Sequence, residues 1–442
     1  MKTVLNRILI CFCFFVLTPL IGQGEAEPAL ELTDAGRAIA DEFITKHGNA
    51  ALAYYLENLK ANAQEDVARI TIEYLISKGA DVNAKDGNGK TPLHLVRTAG
   101  LAEFLVSKGA DVHVRDQYGN TLLHWVRDVE VARFLVSKGA DIHAKDKGGS
   151  TPLHVAPFRS ANIELIKYFV SEGADVNVKG DWGQTPLHMT KDVEIIKYLV
   201  SQGADVNAKH KGGTTPLHHE VQHRRRADIE CLVSLGADIN ARDNNSQTPL
   251  HQVARWGYLE LAQCLISQKA DIHARDNRGR TPLHIAVAVG KLDIAKCLVA
   301  QGADIHVRDN GGETPLALAV LGGQSEVAKY LVSLGADVHV KQTGTNNTLL
   351  HLAARLNTNV EILGYLISIG ADIHAKNNRG ETPLHEAARE NKNVEIAKFL
   401  VEKGANVYAE DRGGHTPHDK AAETHNVAIL VYFTGLPEPE DE

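Results

Sequence analysis

Residues 281–312 have the sequence TPLHIAVAVGKLDIAKCLVAQGADIHVRDNGG, and this stretch decides the fold. Thr281 can cap the start of a helix, and Pro282 follows at the first helical position, where its missing N–H costs nothing. Apolar residues then recur at helical spacing over residues 283–287. Gly290 ends the run, so the pattern predicts a short first helix.

A second helix follows immediately. Apolar residues over 292–299 form another stripe at helical spacing, and Gly302 supplies the left-handed residue that stops it. Residues 309–312, Asp-Asn-Gly-Gly, are a turn signal. The stretch therefore predicts two short antiparallel helices and a hairpin turn.

The same unit recurs along most of the chain at spacings of 30 to 34 residues. The tetrapeptide Thr-Pro-Leu-His, or a close variant, starts at Thr91, Thr121, Thr151, Thr185, Thr215, Thr248, Thr281, Thr314, Thr348, Thr382 and Thr416. A second marker, Gly-Ala-Asp, runs in step with it, for example at Gly302 and Gly335. Regular recurrence of one supersecondary unit is the sequence signature of a repeat protein.

The repeated unit resembles the ankyrin repeat, which has a period of about 33 residues and the signature T-P-L-H-x-A. The resemblance covers residues 61–434. It implies an all-α solenoid, an ankyrin-repeat stack of helix-turn-helix units with short β-hairpin loops. One repeat is too small to bury its own faces, so neighbouring repeats must bury each other.

This reading divides the chain into four segments. Residues 1–24 are predicted to be a signal peptide, and 25–60 a helical N-terminal cap. Residues 61–434 hold about ten full repeats with a half repeat at each end, and 435–442 form an acidic tail predicted to be disordered.

The repeats depart from the pattern in a few places. Those starting at Thr91, Thr121 and Thr185 reach the next repeat in only 30 residues, so each is expected to have lost about one turn at the end of its first helix. Trp125 stands where other repeats carry Leu or Ile and is predicted to be core. The nine histidines of the tetrapeptide are predicted to be structural, tying each repeat's own backbone together.

Composition excludes several classes of protein. Hydrophobic residues make up 43% of the 442, and charged residues 23%, as in a folded protein. A net charge of −8 argues against a protein that coats nucleic acid, and we expect no nucleic-acid partner. Cys231, Cys264 and Cys297 occupy equivalent positions in consecutive repeats, too far apart for disulfides, and are predicted to be buried free thiols.

The N-terminus predicts export. Lys2 and Arg7 precede an apolar run over residues 8–17, and small residues at Gly22 and Gly24 fit a cleavage site. We expect a secreted or periplasmic protein, with an uncleaved membrane anchor as the alternative. No later apolar stretch is long enough to span a bilayer, so no other membrane contact is expected.

One motif points to catalysis. Residues 219–223, His-Glu-Val-Gln-His, match the H-E-x-x-H pattern of zinc hydrolases, in which two histidines bind zinc and the glutamate activates water. No third ligand stands at a recognisable spacing, and the chain is rich in histidine. We expect no enzyme activity, no metal and no cofactor, and keep a zinc hydrolase using His219, Glu220 and His223 as an alternative.

Recognition has more support. In ankyrin-like stacks the hairpin tips and first helices form the concave face that binds partners. The tip residue before the hairpin glycine varies here and includes large or charged residues. We predict a non-enzymatic, monomeric scaffold for a protein partner, or a secreted effector acting on a host protein. The predicted partner-binding residues are Tyr118, Trp182, Trp256, Arg278 and Arg379.

Overall fold

A computed structural model describes residues 17–19, 30–59, 64–160, 162–356 and 359–436. Most of the predicted signal peptide (residues 1–16 and 20–24) and the tail residues 437–442 lie outside the described residues. By internal contacts the chain divides into two compact units, Met1–Lys211 and Gly212–Glu442, called unit 1 and unit 2. Among the described helices, none has the length and apolar character needed to cross a membrane.

Unit 1 begins with a small strand pair and then continues with helices. Strands β1 (Leu17–Pro19) and β2 (Leu30–Leu32) pair antiparallel, and Thr33 Oγ1 caps the next helix by accepting from Gly36 N–H at 3.2 Å. The helices are α1 Asp34–His47, α2 Ala51–Asn58, α3 Glu65–Ser77, α4 Ala99–Ser107, α5 Val129–Ser137, α6 Pro152–Arg159, α7 Ile163–Ser171, α8 Pro186–Met189 and α9 Val193–Ser201.

Unit 2 consists of paired helices throughout its described part. The first helix of each pair starts at the tetrapeptide, and the second helix runs back beside it. The helices are α10 Pro216–His223, α11 Arg226–Ser234, α12 Pro249–Trp256, α13 Leu259–Ser267, α14 Pro282–Ala288, α15 Leu292–Ala300, α16 Pro315–Leu321, α17 Ser325–Ser333, α18 Leu349–Leu356, α19 Val360–Ser368, α20 Pro383–Glu390, α21 Val394–Glu402, α22 Pro417–Glu423 and α23 Val427–Thr434.

The predicted all-α solenoid is confirmed, and the shortened repeats have the expected structure. In the repeats starting at Thr91 and Thr121 the first helix is reduced to a 3₁₀ turn, Pro92–His94 and Leu122–His124. In the repeat starting at Thr185 it is the four-residue α8. A full repeat carries seven or eight residues in this helix, such as α14.

The loops are tight turns with very little β-structure. In the turn that precedes Thr281, Asp276 N–H donates to the carbonyl oxygen of Arg280 at 2.9 Å, and the Asp276 carboxylate accepts from Arg278 N–H at 2.8 Å. In the described loops, isolated β-bridges occur at Arg115 with Thr121 and at Lys341 with Thr348. The aspartate therefore satisfies the turn's own N–H groups, and no extended hairpin is needed.

The tetrapeptide histidine links two repeats, which goes beyond its predicted role within one. Thr281 N–H donates to Nδ1 of His284 at 3.1 Å, so Nδ1 is the acceptor and Nε2 carries the proton. Nε2–H then donates to the carbonyl oxygen of Glu313 in the next repeat, at 3.3 Å. All nine tetrapeptide histidines accept from their own threonine N–H. The same bond to the next repeat forms, for example, between His124 and Ser150 at 2.9 Å.

Replacement of His284 by Ala tests this bridge. The change leaves Thr281 N–H and the Glu313 carbonyl unpaired and opens a cavity, so the free energy of unfolding should fall by about 2–4 kcal/mol. Urea unfolding measures the change. His306→Ala is the control, because His306 is exposed and its loss should cost less than about 0.5 kcal/mol. Equal effects of the two variants would contradict a structural role for the bridge.

These buried histidines also make stability depend on pH. Burial lowers the pKa of His351 from 6.5 to about 4, although its bond to the Glu381 carbonyl opposes the shift. The folded state thus excludes a proton that the unfolded chain binds, and the contribution of His351 is present above pH 6.5 and is lost as pH falls toward 4. The stability difference between the native protein and His351→Ala should therefore shrink by about 2–3 kcal/mol from pH 7.5 to 4.5.

Urea unfolding of both proteins at the two pH values checks this expectation. His306→Ala controls for the removal of an exposed histidine. A difference between the native protein and His351→Ala that stays constant with pH would show that burial does not keep the His351 ring neutral.

Candidate functional site

The turn tips of unit 1 form a hydrogen-bonded row. The carbonyl oxygen of Tyr118 accepts from Lys147 N–H at 2.9 Å, and that of Gly148 accepts from Asp181 N–H at 2.9 Å. The carbonyl oxygen of Trp182 accepts from Lys211 N–H at 2.8 Å. Each tip is therefore fixed to the next turn by its own backbone.

The two aromatic tips project from this row. The side chain of Tyr118 is 57% exposed and that of Trp182 is 72% exposed. Tyr118 N–H donates to the carboxylate of Asp116 at 2.8 Å, which holds the backbone under the ring. A large aromatic side chain on a rigid backbone loses little entropy when a partner covers it, which is typical of interface anchors.

The predicted partner-binding residues of unit 2 differ in position and exposure. Arg278 and Arg379 are exposed tips, and their carbonyl oxygens accept from Asn310 N–H at 2.8 Å and Arg412 N–H at 2.9 Å. Trp256 differs, because it is half-buried at the end of α12 and its ring centroid lies 5.7 Å from that of Tyr258. Its role in binding a partner stays a prediction, as do those of the four tip residues.

The H-E-x-x-H residues lie close together on α10, where Nδ1 of His219 is 4.0 Å from the Glu220 carboxylate. The rings of His219 and His223 lie edge to face at 4.6 Å, while the Glu220 carboxylate is buried and lies 3.7 Å from Arg225 Nη1. Arg225 Nη1 also lies 3.6 Å from Asp228, whose pKa burial raises to about 6. In the described part of the chain, no group of three or more His, Cys, Asp or Glu side chains is placed to hold a metal ion.

Trp125 is not a core residue, which corrects the sequence prediction. It is half-buried, and its indole Nε1–H donates to Asp116 Oδ2 at 3.0 Å. The Nζ of Lys90 lies 3.4 Å from the ring centroid and the guanidinium carbon of Arg159 lies 3.8 Å from it. Both cations are therefore close enough to the ring for cation–π contact.

Trp125 lines a cavity of about 420 Å³ that the sequence did not reveal. Lys90, Arg97 and Arg127 line the same cavity, between apolar walls that include Val96. One signal could have located it. In each of the three 30-residue repeats a cation stands six residues after the tetrapeptide threonine, at Arg97, Arg127 and Lys191.

A second cavity, of about 470 Å³, lies in unit 2 beside the loop that includes Thr345. It is lined mostly by charged and amide side chains. Arg389 binds Glu381 at 3.0 Å and Glu386 at 2.7 Å, and burial raises the pKa of Glu386. Its carboxylates are therefore already paired within the protein.

The predicted free thiols are confirmed for Cys231, Cys264 and Cys297. Cys297 is half-buried, however, and only Cys231 and Cys264 are buried as predicted. Burial raises the pKa of the Cys264 and Cys297 thiols, which disfavours the reactive thiolate.

Comparison with protein families agrees with this architecture. The family model described as ankyrin repeats (3 copies) matches successive windows that together cover residues 59–435. The chain belongs to the ankyrin-repeat family. No curated protein matches the chain. Ankyrin-repeat proteins are generally non-enzymatic interaction modules, and the repeats here support a protein–protein interaction scaffold.

Asp116 joins an aromatic tip to the cavity and so provides a test of the local architecture. Its carboxylate accepts from the N–H of Tyr118, from the N–H and side chain of Asn120, and from Trp125. Asp116→Ala should lower the free energy of unfolding by about 2–4 kcal/mol, because several bonds to a charged acceptor are lost. Urea unfolding is the measurement, and Glu103→Ala, at an exposed position on α4, should change stability by less than about 0.5 kcal/mol. A small effect of Asp116→Ala would show that the carboxylate does not organise this region.

Proposed function

We propose that this ankyrin-repeat chain is an exported, monomeric, non-enzymatic scaffold that grips a protein partner with its turn tips and first helices, on the concave face of the stack. Tyr118 and Trp182 are the principal anchors, and Arg278 and Arg379 add charge specificity in unit 2. The observation that carries this proposal is the exposure of two large aromatic rings, 57% and 72%, on a hydrogen-bonded row of tips.

The geometry of the row supports binding by shape. Tyr118 and Trp182 stand two repeats apart, which corresponds to roughly 20 Å at the 8–10 Å spacing of packed helices. Two anchors at that separation fit within a standard interface of about 800 Å² on each partner. Neither ring stacks on another aromatic ring among the described residues.

Export is supported by the sequence of residues 1–24, with its two cations, apolar run and small residues. The N-terminus of the protein recovered from the periplasm and the culture medium tests this part of the proposal. Cleavage after Gly24 predicts an N-terminus at Glu25. Intact Met1 in the membrane fraction would instead support the uncleaved anchor, and intact Met1 in the cytoplasm would overturn export.

Affinity capture with the purified protein as bait, from the secreted and periplasmic fractions, tests the anchors. The native bait should enrich one dominant protein, and the double variant Tyr118→Ala with Trp182→Ala should recover at least tenfold less of it, because hot-spot aromatics each contribute about 2 kcal/mol. The control is Tyr408→Ala, which removes a ring that is 46% exposed and does not lie at a tip. Equal recovery by all three baits would place the binding surface elsewhere, and recovery of nothing would count against a resident partner.

A further inference from the structure

Unit 1 contains a basic notch, defined here by Lys90, Arg97, Trp125, Arg127 and Arg159. Four of these residues line the cavity of about 420 Å³, and Arg159 covers one face of Trp125. The notch arises because the first helices of two consecutive repeats stop after a single 3₁₀ turn. The missing turns leave open the space that a full helix occupies in other repeats.

The notch carries more positive charge than its surroundings balance. Among the described residues, none of its four cations forms a salt bridge with a carboxylate. Burial and then the neighbouring charge of Arg127 lower the pKa of the Arg159 guanidinium, and the charge of Asp116 opposes this shift. An anion placed between the two guanidinium groups would relieve their repulsion.

The acidic residues at the rim of the notch do not neutralise it. Asp128 accepts from the N–H groups of Glu130 at 2.9 Å and Val131 at 3.1 Å, and so serves as the cap of α5. Glu57 lines the cavity from α2 and is exposed. The cationic centre is thus bordered by Glu57 and Asp128, and a third carboxylate, Asp116, is bonded to the indole of Trp125 and acts on Arg159.

Alternating aromatic and basic side chains extend the notch along unit 1. Phe158, beside Arg159, is 53% exposed, and Lys191 Nζ lies 3.8 Å from its ring centroid. Lys191 occupies the same position in its shortened repeat as Arg97 and Arg127 do in theirs. The surface therefore continues as an elongated strip of cations and rings, and the strip matches an extended ligand.

We propose that the basic notch binds an extended acidic segment of the protein partner, whose carboxylates contact Arg97 and Arg127 and whose apolar side chain enters the cavity. This inference rests on the proposed scaffold function and specifies the class of partner. Arginine forks match carboxylates with paired hydrogen bonds. The apolar walls at Leu95, Val96 and Val126 would cover an aliphatic side chain placed between two acids.

The same charges favour a peptide over a nucleic acid. A nucleic-acid strand carries a charge at every phosphate, so Glu57 and Asp128 would repel part of any strand laid across the notch. A peptide can place its carboxylates at intervals and avoid these two positions. The net charge of −8 for the whole chain also disfavours a continuous polyanion.

Fluorescence anisotropy tests the proposal with three labelled probes: a twelve-residue peptide of alternating glutamate and leucine, the same peptide with lysine in place of glutamate, and a twelve-nucleotide single-stranded DNA. The purified full chain should bind the glutamate peptide at least tenfold more tightly than the other two. The double variant Arg97→Gln with Arg127→Gln should weaken that binding at least tenfold. Both arginines are exposed, so the fold should be retained.

The matched control is Lys108→Gln with Lys138→Gln. These exposed lysines lie in the same two repeats, at the ends of α4 and α5. Their replacement removes two positive charges, as the replacement of Arg97 and Arg127 does. Binding of the glutamate peptide by this control should stay within twofold of the native protein. If both double variants lose affinity for the glutamate peptide equally, the effect comes from net charge alone. If the native protein binds the DNA more tightly than the glutamate peptide, the notch is a nucleic-acid site. Either result, or no binding of the glutamate peptide, would overturn the proposal.

Failure of this inference is distinguishable from failure of the proposed function. If the tip residues Tyr118 and Trp182 are needed to capture a partner but the notch variants still capture it fully, the scaffold function stands and the acidic-segment inference falls.

Discussion

The structure depends on a buried imidazole that bonds in two directions at once. Nδ1 of the tetrapeptide histidine accepts from the threonine N–H of its own repeat, and in most repeats Nε2–H donates to a carbonyl of the following repeat, as at His251 with Thr248 and Arg280. Both bonds require the neutral ring with its proton on Nε2. One side chain therefore sets the start of a helix and its distance from the next repeat. Nε2 of His94 is an exception and has no hydrogen-bond partner among the described residues. The chain also tolerates the loss of one link, since Ala317 replaces the histidine in the repeat that starts at Thr314.

The half of this link that lies within one repeat explains why so much of the fold could be predicted from the sequence. The threonine, proline and histidine of each tetrapeptide act within four residues, so their spacing reports the helix start directly. Gly302 stops its helix for a similar local reason, because its φ of 93° favours glycine. Where the structure is determined by residues within one repeat, and that repeat recurs, the sequence pattern is sufficient to predict the helices and turns. The shortening of three first helices could likewise be predicted, because a missing turn changes the number of residues between successive tetrapeptides.

The prediction for Trp125 failed because burial depends on what lies beside a residue as well as on its position in the repeat. The equivalent residues Ile285 and Leu352 are 5% and 1% exposed, next to full-length first helices. Leu95 and Trp125, which follow single 3₁₀ turns, are only half-buried. The pattern identified the repeats that lack a turn but did not show which side chains would fill the gap. Lys90 and Arg159 come from two other repeats, and their meeting at one ring depends on the packing between repeats.

The buried carboxylates of unit 2 are paired with a cation, whereas, within the ranges that the structure describes, the cations of the basic notch are not paired with carboxylates. This difference bears on function. Glu381 and Glu386 share Arg389 inside unit 2, so each carboxylate has a cationic partner where water is excluded. In the basic notch, Lys90 and Arg159 both lie against the ring of Trp125, and none of the four cations has a carboxylate within salt-bridge distance among the described residues. Such crowding costs stability, but in a repeat protein the cost stays largely within the repeats that contain it. At the notch, His124 and His154 keep their bonds to the following repeats, whereas Nε2 of His94, which lines the cavity, has no hydrogen-bond partner in the described part of the chain. A repeat stack can therefore hold unbalanced charge open to a partner while neighbouring interfaces maintain the fold.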